Sequence, residues 1–344
     1  MSAAAALPAI THPEPDLTWL AQYREDALEP DLPIIDPHHH LWERAGGYLL
    51  DQLIADTSSG HNIVATVFAQ CGYAYRSSGP EALRVVGETA FVAGVAQEAA
   101  RRKLKTRACA GIVGSADLSM GDRVADVLQA HLAAGAGYFR GIRHITARHE
   151  EFNASLLARP PARQLADGEF RKGFARLVAM DLSFDAWLYH TQIPELTDLA
   201  HAFPQARIVM NHTGGPLGVG PYRGDADRTR REWLAAMRDL AGCPNVHVKL
   251  GGLAMAIMGF DFHLNATPPS STQLAAAWGP LMAQAIELFG ANRCMFESNF
   301  PVDKAMCSYP VLWNAFKRIA AGASASEKAA LFHDTAARFY RLGA

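Results

Sequence analysis

The feature that most constrains this chain is a sustained alternation: eight short apolar or β-branched runs, separated by longer stretches of helical composition. The runs are 33–40, 63–70, 107–114, 138–144, 183–190, 206–212, 245–251 and 293–299. Helical composition marks 80–102, 121–134, 168–180, 194–203, 226–242, 272–290 and 309–320, and Ser326 opens a last helix over 326–341. Eight strands alternating with helices predict an α/β fold, a single-domain (β/α)8 TIM-like barrel. A chain of 344 residues that is 49% hydrophobic can bury such a core. Residues 1–32 carry Pro, Asp and Glu without sustained periodicity, so they read as an N-terminal extension packed outside a barrel spanning 33–344.

Charge and cysteine usage narrow the partners. With 32 basic and 34 acidic residues spread along the chain, there is no basic stripe for nucleic acid and no polybasic patch for a membrane surface, which leaves small-molecule substrates. The four alanines of residues 3–6 lack a basic flank, and Pro8, Pro13 and Pro15 interrupt the segment, so no signal peptide is expected. No stretch approaches the roughly 18–20 apolar residues of a membrane helix. Five cysteines without a C-x-x-C pair argue against a disulfide framework and a zinc ribbon, and fit a reducing cytoplasm. Outer helices of such barrels offer a surface for a homodimer.

The polar residues indicate which end of the barrel works. In the run ending Asp36-Pro37-His38-His39-His40-Leu41-Trp42, strand alternation puts His38 and His40 on one side and His39 on the other. Paired imidazoles can hold a metal ion or polarise a carbonyl oxygen. Arg143, His190, His212, Lys249, Glu297 and Asn299 also fall at or near the C-terminal ends of their runs, where barrel enzymes assemble active sites. Lys249 and Arg140 are explained well enough as polar strand ends meeting solvent, but the histidines are not.

Asp36-x-His38-x-His40-x-Trp42, Phe139-Arg140-Gly141-Ile142-Arg143, Pro194-Glu195-Leu196, Asn211-His212-x-Gly214-Gly215-Pro216 and Phe296-Glu297-Ser298-Asn299-Phe300-Pro301 together resemble the amidohydrolase-2 family. The resemblance covers about residues 33–342 and is closest to the lactonase branch, which includes sugar lactonases and 2-pyrone-4,6-dicarboxylate lactonase. It implies a hydrolase that opens a lactone by activated water, with His38, His40 and His212 facing the reacting carbonyl. They would act either as ligands of one divalent ion such as zinc or, equally open, as direct donors without a metal. It further implies that Arg143 contacts a substrate carboxylate.

Where the resemblance implies an aspartate that activates water at the end of the eighth strand, this chain has Asn299. An amide can position water but cannot serve as a general base. Glu297, on the same strand face, or Asp303 in the following loop would have to take the proton, with Glu297 placed slightly ahead. His190, Trp42 and Tyr73 are candidates for contacting substrate, and His190 also for ligating a metal. The segment 256–271 could form a lid. Gly214-Gly215 and Gly251-Gly252 lack phosphate-loop spacing and read as tight turns, and no G-x-S-x-G elbow exists. The alternatives are a metal-dependent amidohydrolase or decarboxylase of the same family, and a barrel that binds a ligand without catalysis.

Overall fold

The computed structural model describes residues 8–44, 46–154 and 159–343; the start of the N-terminal extension, residues 1–7, lies outside the described residues. Eight parallel strands run in sequence order around one sheet: β1 Pro33–His39, β2 Asn62–Ala69, β3 Arg107–Gly114, β4 Phe139–Ile145, β5 Ser183–Trp187, β6 Arg207–Met210, β7 Val246–Leu250 and β8 Cys294–Phe296. These strands are buried on both faces, which is why they read as near-continuous apolar runs rather than alternating ones. Every expected strand is present.

The ring is nearly closed, and its seam is built partly by a side chain. Beyond β8, the Asn299 amide donates to His38 O (2.9 Å) and the His40 amide to Phe300 O (2.7 Å). Between them, Asp36 Oδ1 accepts from Ser298 N (3.0 Å) and Asp36 Oδ2 accepts from Tyr309 OH (3.0 Å). Burial raises the Asp36 carboxyl to about 6, against the opposing pull of those hydrogen bonds.

Inside the ring, Ile35, Ala65, Val67, Ala110, Val113, Val209 and Met295 form one apolar cluster with Phe339, Tyr340 and Leu342 of the C-terminal segment. The alternate side chains, such as Ile34, Phe68, Ile112 and Phe184, join the larger core beneath the helices. The expected last helix is present over 325–340 but contains a π turn at Ala330–Asp334. Two helices were not expected: the four-residue Leu17–Leu20 in the N-terminal extension, and Leu50–Thr57 between β1 and β2, which buries Leu50, Leu53 and Thr57 and is too short to show much periodicity. The five cysteines are free, and no described helix is long and apolar enough to cross a membrane.

The reading of Lys249 as a solvent-facing strand end is corrected. It is fully buried and pairs with Asp185 Oδ2 at 2.7 Å, while its Nζ also donates to Pro37 O at 2.8 Å. Asp185 Oδ2 accepts from Tyr340 OH (2.8 Å) and from Asn211 Nδ2 (3.3 Å) as well. In a closed barrel the inward-facing strand residues meet one another across the axis, so a lysine there needs an anion. Breaking a buried pair from one side leaves an uncompensated charge. Asp185→Ala should therefore lower the unfolding free energy by about 3–5 kcal/mol in urea titrations, with Asp185→Leu combined with Lys249→Met recovering much of the loss.

Two structural histidines give a pH signature. His39 meets Thr66 Oγ1 (2.9 Å), and His131 meets Thr89 Oγ1 (2.8 Å) and Ser115 O (2.8 Å). Burial pushes each down to about 4, from 6.5 for a free imidazole. The unfolded chain binds more protons in that interval, so the stability that these groups contribute is present above pH 6.5 and lost as pH falls toward 4. Thermal unfolding recorded across this range should show a falling midpoint, and a flat profile would contradict it.

Candidate active site

At the C-terminal mouth of the barrel lies a cavity with about 690 Å³ of empty space counted out into its open mouth. His40, Arg143, His212 and Asn299 line it, together with Trp42, Gln70, Trp187, Tyr189 and Met255. No carboxylate lines it among the described residues.

Several of these side chains project from just beyond the strands. β6 stops at Met210 and β8 at Phe296, so His212 and Asn299 sit on turns with φ of 55° and 53°. Histidine and asparagine are among the non-glycine residues enriched in this left-handed region. Gly251 and Gly252, expected only as turn residues, also provide clearance. A Cβ on Gly252 would stand 2.5 Å from His212 Nδ1, and one on Gly251 would stand 2.5 Å from Glu297 Cγ.

Beneath the cavity wall, Glu297 is buried and holds His212 twice: Oε1 accepts from the His212 amide at 2.9 Å and from Nδ1 at 2.7 Å. Burial alone would raise the Glu297 pKa, but the His212 ring and the Lys249 ammonium outweigh it and hold the carboxyl below its usual range. Since Nδ1 donates to Glu297, Nε2 of a neutral His212 is an acceptor, and Arg143 Nη2 donates to it at 3.2 Å. Arg143 is itself buried, and Nη1 donates to Gln70 O at 3.1 Å. No described carboxylate forms an ion pair with it, and its Nε has no partner. Burial lowers the His212 pKa despite Glu297, leaving the imidazole neutral at pH 7.

His40 belongs to a second network. Its Nδ1 faces Ala69 O at 2.8 Å and so carries the hydrogen, while its Nε2 lies 3.2 Å from Asn299 Oδ1. Asn299 Nδ2 donates to Asp303 Oδ1 at 2.7 Å. Burial, then Arg143, drives the His40 pKa well down, so its Nε2 is an acceptor facing an acceptor. Turning the Asn299 amide over removes the conflict: Nδ2 then donates to His40, and Oδ1 accepts from a protonated Asp303. Burial raises the Asp303 carboxyl well above its usual range, in agreement with that proton.

The expected site residues thus separate into layers. His40, His212, Arg143, Asn299 and Trp42 come together on the cavity wall, with Trp42 stacked on His40 at 5.6 Å. His38, Glu297 and Asp303 stand behind that wall rather than on it. His190 does not line the cavity: its Nδ1 accepts from Leu217 N at 3.3 Å, its Nε2 lies 3.5 Å from Glu232, and its ring meets Tyr222 at 4.8 Å. Tyr73 is also absent from the lining, with its ring edge-on to Phe91 at 5.2 Å. Met255 and Ile257 bring the loop after β7 to the cavity, and Ile257 lies within the segment 256–271. Sequence reading passed over His12, which reaches the cavity from the N-terminal arm, as do Arg44 and Gln70 from the loops after β1 and β2.

His38, His212 and Glu297 have ligand atoms within 4.8 Å of one another, close enough to surround a metal ion. Their surroundings oppose one. His212 is engaged by Glu297 on one nitrogen and by Arg143 on the other, and His38 Nδ1 lies 3.2 Å from Lys249 Nζ. Glu297 Oε2 stands 2.9 Å from His38 Nδ1 without the alignment of a hydrogen bond, and His38 Nε2 is buried without a partner. A divalent ion held by His212 would have to displace the guanidinium and sit beside the ammonium, whereas His38 Nε2 and Glu297 Oε2 are both buried without partners, so the three residues could hold an ion only with Arg143 moved.

A family model described as Amidohydrolase matches residues 35–342. A protein of Sinorhizobium fredii, named uncharacterized protein y4mH, is 35% identical over 336 residues, which are 91% of this chain and 99% of that one. An L-fucono-1,5-lactonase of Burkholderia multivorans is 29% identical over 259 residues, covering 74% of this chain and 77% of its own. Among solved structures, an amidohydrolase from Burkholderia multivorans with bound zinc aligns with a TM-score of 0.69 at 26% identity, over 90% of this chain and 99% of that one. The family match spans the whole barrel, from the first strand to the segment that closes its inner core, and the chain belongs to the amidohydrolase family as a hydrolase enzyme.

Proposed function

We propose that the protein hydrolyses a lactone, with His212 taking the proton from the attacking water. The observation that carries this reading is the pairing, on one cavity wall, of a glutamate-oriented neutral imidazole with a buried arginine that has no carboxylate partner among the described residues. The similarity to L-fucono-1,5-lactonases supports it.

The chemistry follows the arrangement used by base-assisted acyl transfer. With Arg143 drawn from His212 onto the substrate carbonyl, a water held at Asn299 attacks the ring carbonyl while the freed His212 Nε2 accepts its proton, and the ionised Glu297 stabilises the resulting imidazolium. The carbonyl electron pair moves onto oxygen, where the Arg143 guanidinium balances the developing charge in a site with little water. The intermediate then collapses: the ring C–O bond breaks, its electron pair stays on the ring oxygen, and that oxygen takes the proton back from His212. The product is the open hydroxy acid. In this scheme Glu297 is a positioning residue, and Asp303, held neutral behind Asn299, is not the base. The proposed reaction routes no step through a metal.

Acid release from a panel of sugar lactones and unsaturated ring lactones tests the reading. His212→Ala should lower kcat by about 10²–10⁴-fold, the usual worth of a positioned base, with an unchanged circular-dichroism spectrum. A near-normal rate in that variant would remove the assignment, and silence of the native enzyme on every lactone would remove the function. Activity should also survive chelation followed by gel filtration. Loss under chelator that added zinc restores would show instead that the reaction needs a bound ion.

A further inference from the structure

The N-terminal arm was expected to pack on the outside of the barrel, yet it is fastened across the mouth. Ile10 N donates to Asn153 O (2.9 Å) and Asn153 N donates to Pro8 O (3.0 Å), tying the arm to the segment after β4. Ala256 N donates to His12 Nδ1 (3.3 Å), and Trp19 Nε1 donates to Asn265 O (3.0 Å), tying it to the segment after β7. Asp16 caps the short helix Leu17–Leu20 that ends this crossing, with Oδ1 accepting from Thr18 N (2.9 Å) and Trp19 N (3.0 Å). His12 thereby lines the same cavity as His40, Arg143, His212 and Asn299.

The tautomer of His12 follows from its one hydrogen bond. Nδ1 receives the Ala256 N–H, so it presents its lone pair there, and the hydrogen of the neutral ring resides on Nε2. Burial, followed by the nearby His212, lowers the His12 pKa to about 4, which agrees with a neutral ring. Nε2 has no protein partner among the described residues, and it is not among the buried polar atoms that lack one, so this N–H remains available to a bound molecule. Backbone anchoring of one imidazole nitrogen fixes where the other points, an arrangement that orients functional histidines generally.

We infer that His12 is a substrate-contacting residue, whose Nε2–H donates a hydrogen bond to an oxygen of the bound lactone, and that the N-terminal arm is a wall of the active site. This rests on the lactonase reading above. It gives the cavity a neutral donor on the arm side in addition to the cationic donor of Arg143, so that a substrate with two oxygen centres is held at both.

Three substitutions in the full-length chain separate contact from anchoring. His12→Asn keeps an oxygen able to accept the Ala256 N–H but falls short of the Nε2 position; His12→Gln places an amide N–H near that position; His12→Phe offers neither. Rates are measured at a temperature where circular dichroism shows each variant folded. The inference expects kcat/KM on the best lactone of the panel to fall about tenfold or more in His12→Asn and His12→Phe, the order of one unmade hydrogen bond to a buried group, and to recover substantially in His12→Gln. A native rate in His12→Asn would reduce His12 to an anchor, and His12→Gln no better than His12→Asn would remove the donor role; either result overturns the inference while lactonase activity stands. Native enzyme inactive on the whole panel would instead take down the lactonase reading, and this inference with it.

Discussion

A buried chain of polar contacts crosses the barrel, and both the fold and the site depend on it. Asp185 meets Lys249, Lys249 meets His38, His38 lies against Glu297, Glu297 holds His212, and His212 meets Arg143, with successive separations of 2.7, 3.2, 2.9, 2.7 and 3.2 Å. Its members come from β1, β4, β5, β7 and the ends of β6 and β8. Two acidic and two basic side chains share the series with two imidazoles, so it carries no excess of either sign into the core. Removing charges from water costs several kcal/mol per ion unless partners compensate. The barrel supplies that compensation by bringing distant strands to one axis, and the order along the chain sets the chemistry: acid beside imidazole beside guanidinium, with the guanidinium end open to the cavity.

This arrangement also explains how the chain tolerates an amide at Asn299, where the resemblance to lactonases implies an aspartate. A carboxylate there would face His40 and lie close to Asp303, two acidic groups in a buried space. Here the amide bridges His40 and Asp303, whose carboxyl burial pushes well above its usual range, so no carboxylate faces His40 directly. Negative charge is concentrated instead at Glu297, where His212 and Lys249 both favour it. In the proposed reaction, proton acceptance accordingly shifts from the end of the eighth strand to the turn after the sixth, without leaving the same cavity wall.

The fold was highly legible because a parallel barrel writes itself as eight apolar runs, and each run became a strand within a few residues. The C-terminal clustering of His38, His40, Arg143, His212, Glu297 and Asn299 was legible for the same reason: strand ends share one rim. Depth was not legible. Period-two alternation says which side chains face inward, but not that Glu297 and His38 would lie behind the wall while His212 and Asn299, on left-handed turns, reach through it. Lys249 was misread because a lysine at a strand end normally reaches solvent, and only the position of Asp185 across the barrel, with no sequence proximity, accounts for its burial. His190 was placed at a strand end by its number, but β5 ends three residues earlier and the turn carries the ring toward Tyr222.

The arm shows the same limit from the other side. Nothing periodic marks residues 8–16, since a segment that crosses a rim uses backbone groups and single side chains rather than a repeating apolar face. Its contacts join the segments after β4 and β7, on well-separated parts of the ring, so the two loops cannot move apart without breaking hydrogen bonds to the arm. An open barrel mouth would leave Arg143 hydrated and its field screened. Crossing the mouth with a short segment that also brings an imidazole to the cavity limits water from one side, and in the proposed reaction that exclusion would strengthen the hold of a single guanidinium on a developing oxyanion. The strength of the site therefore depends on residues that lie before the first strand of the barrel.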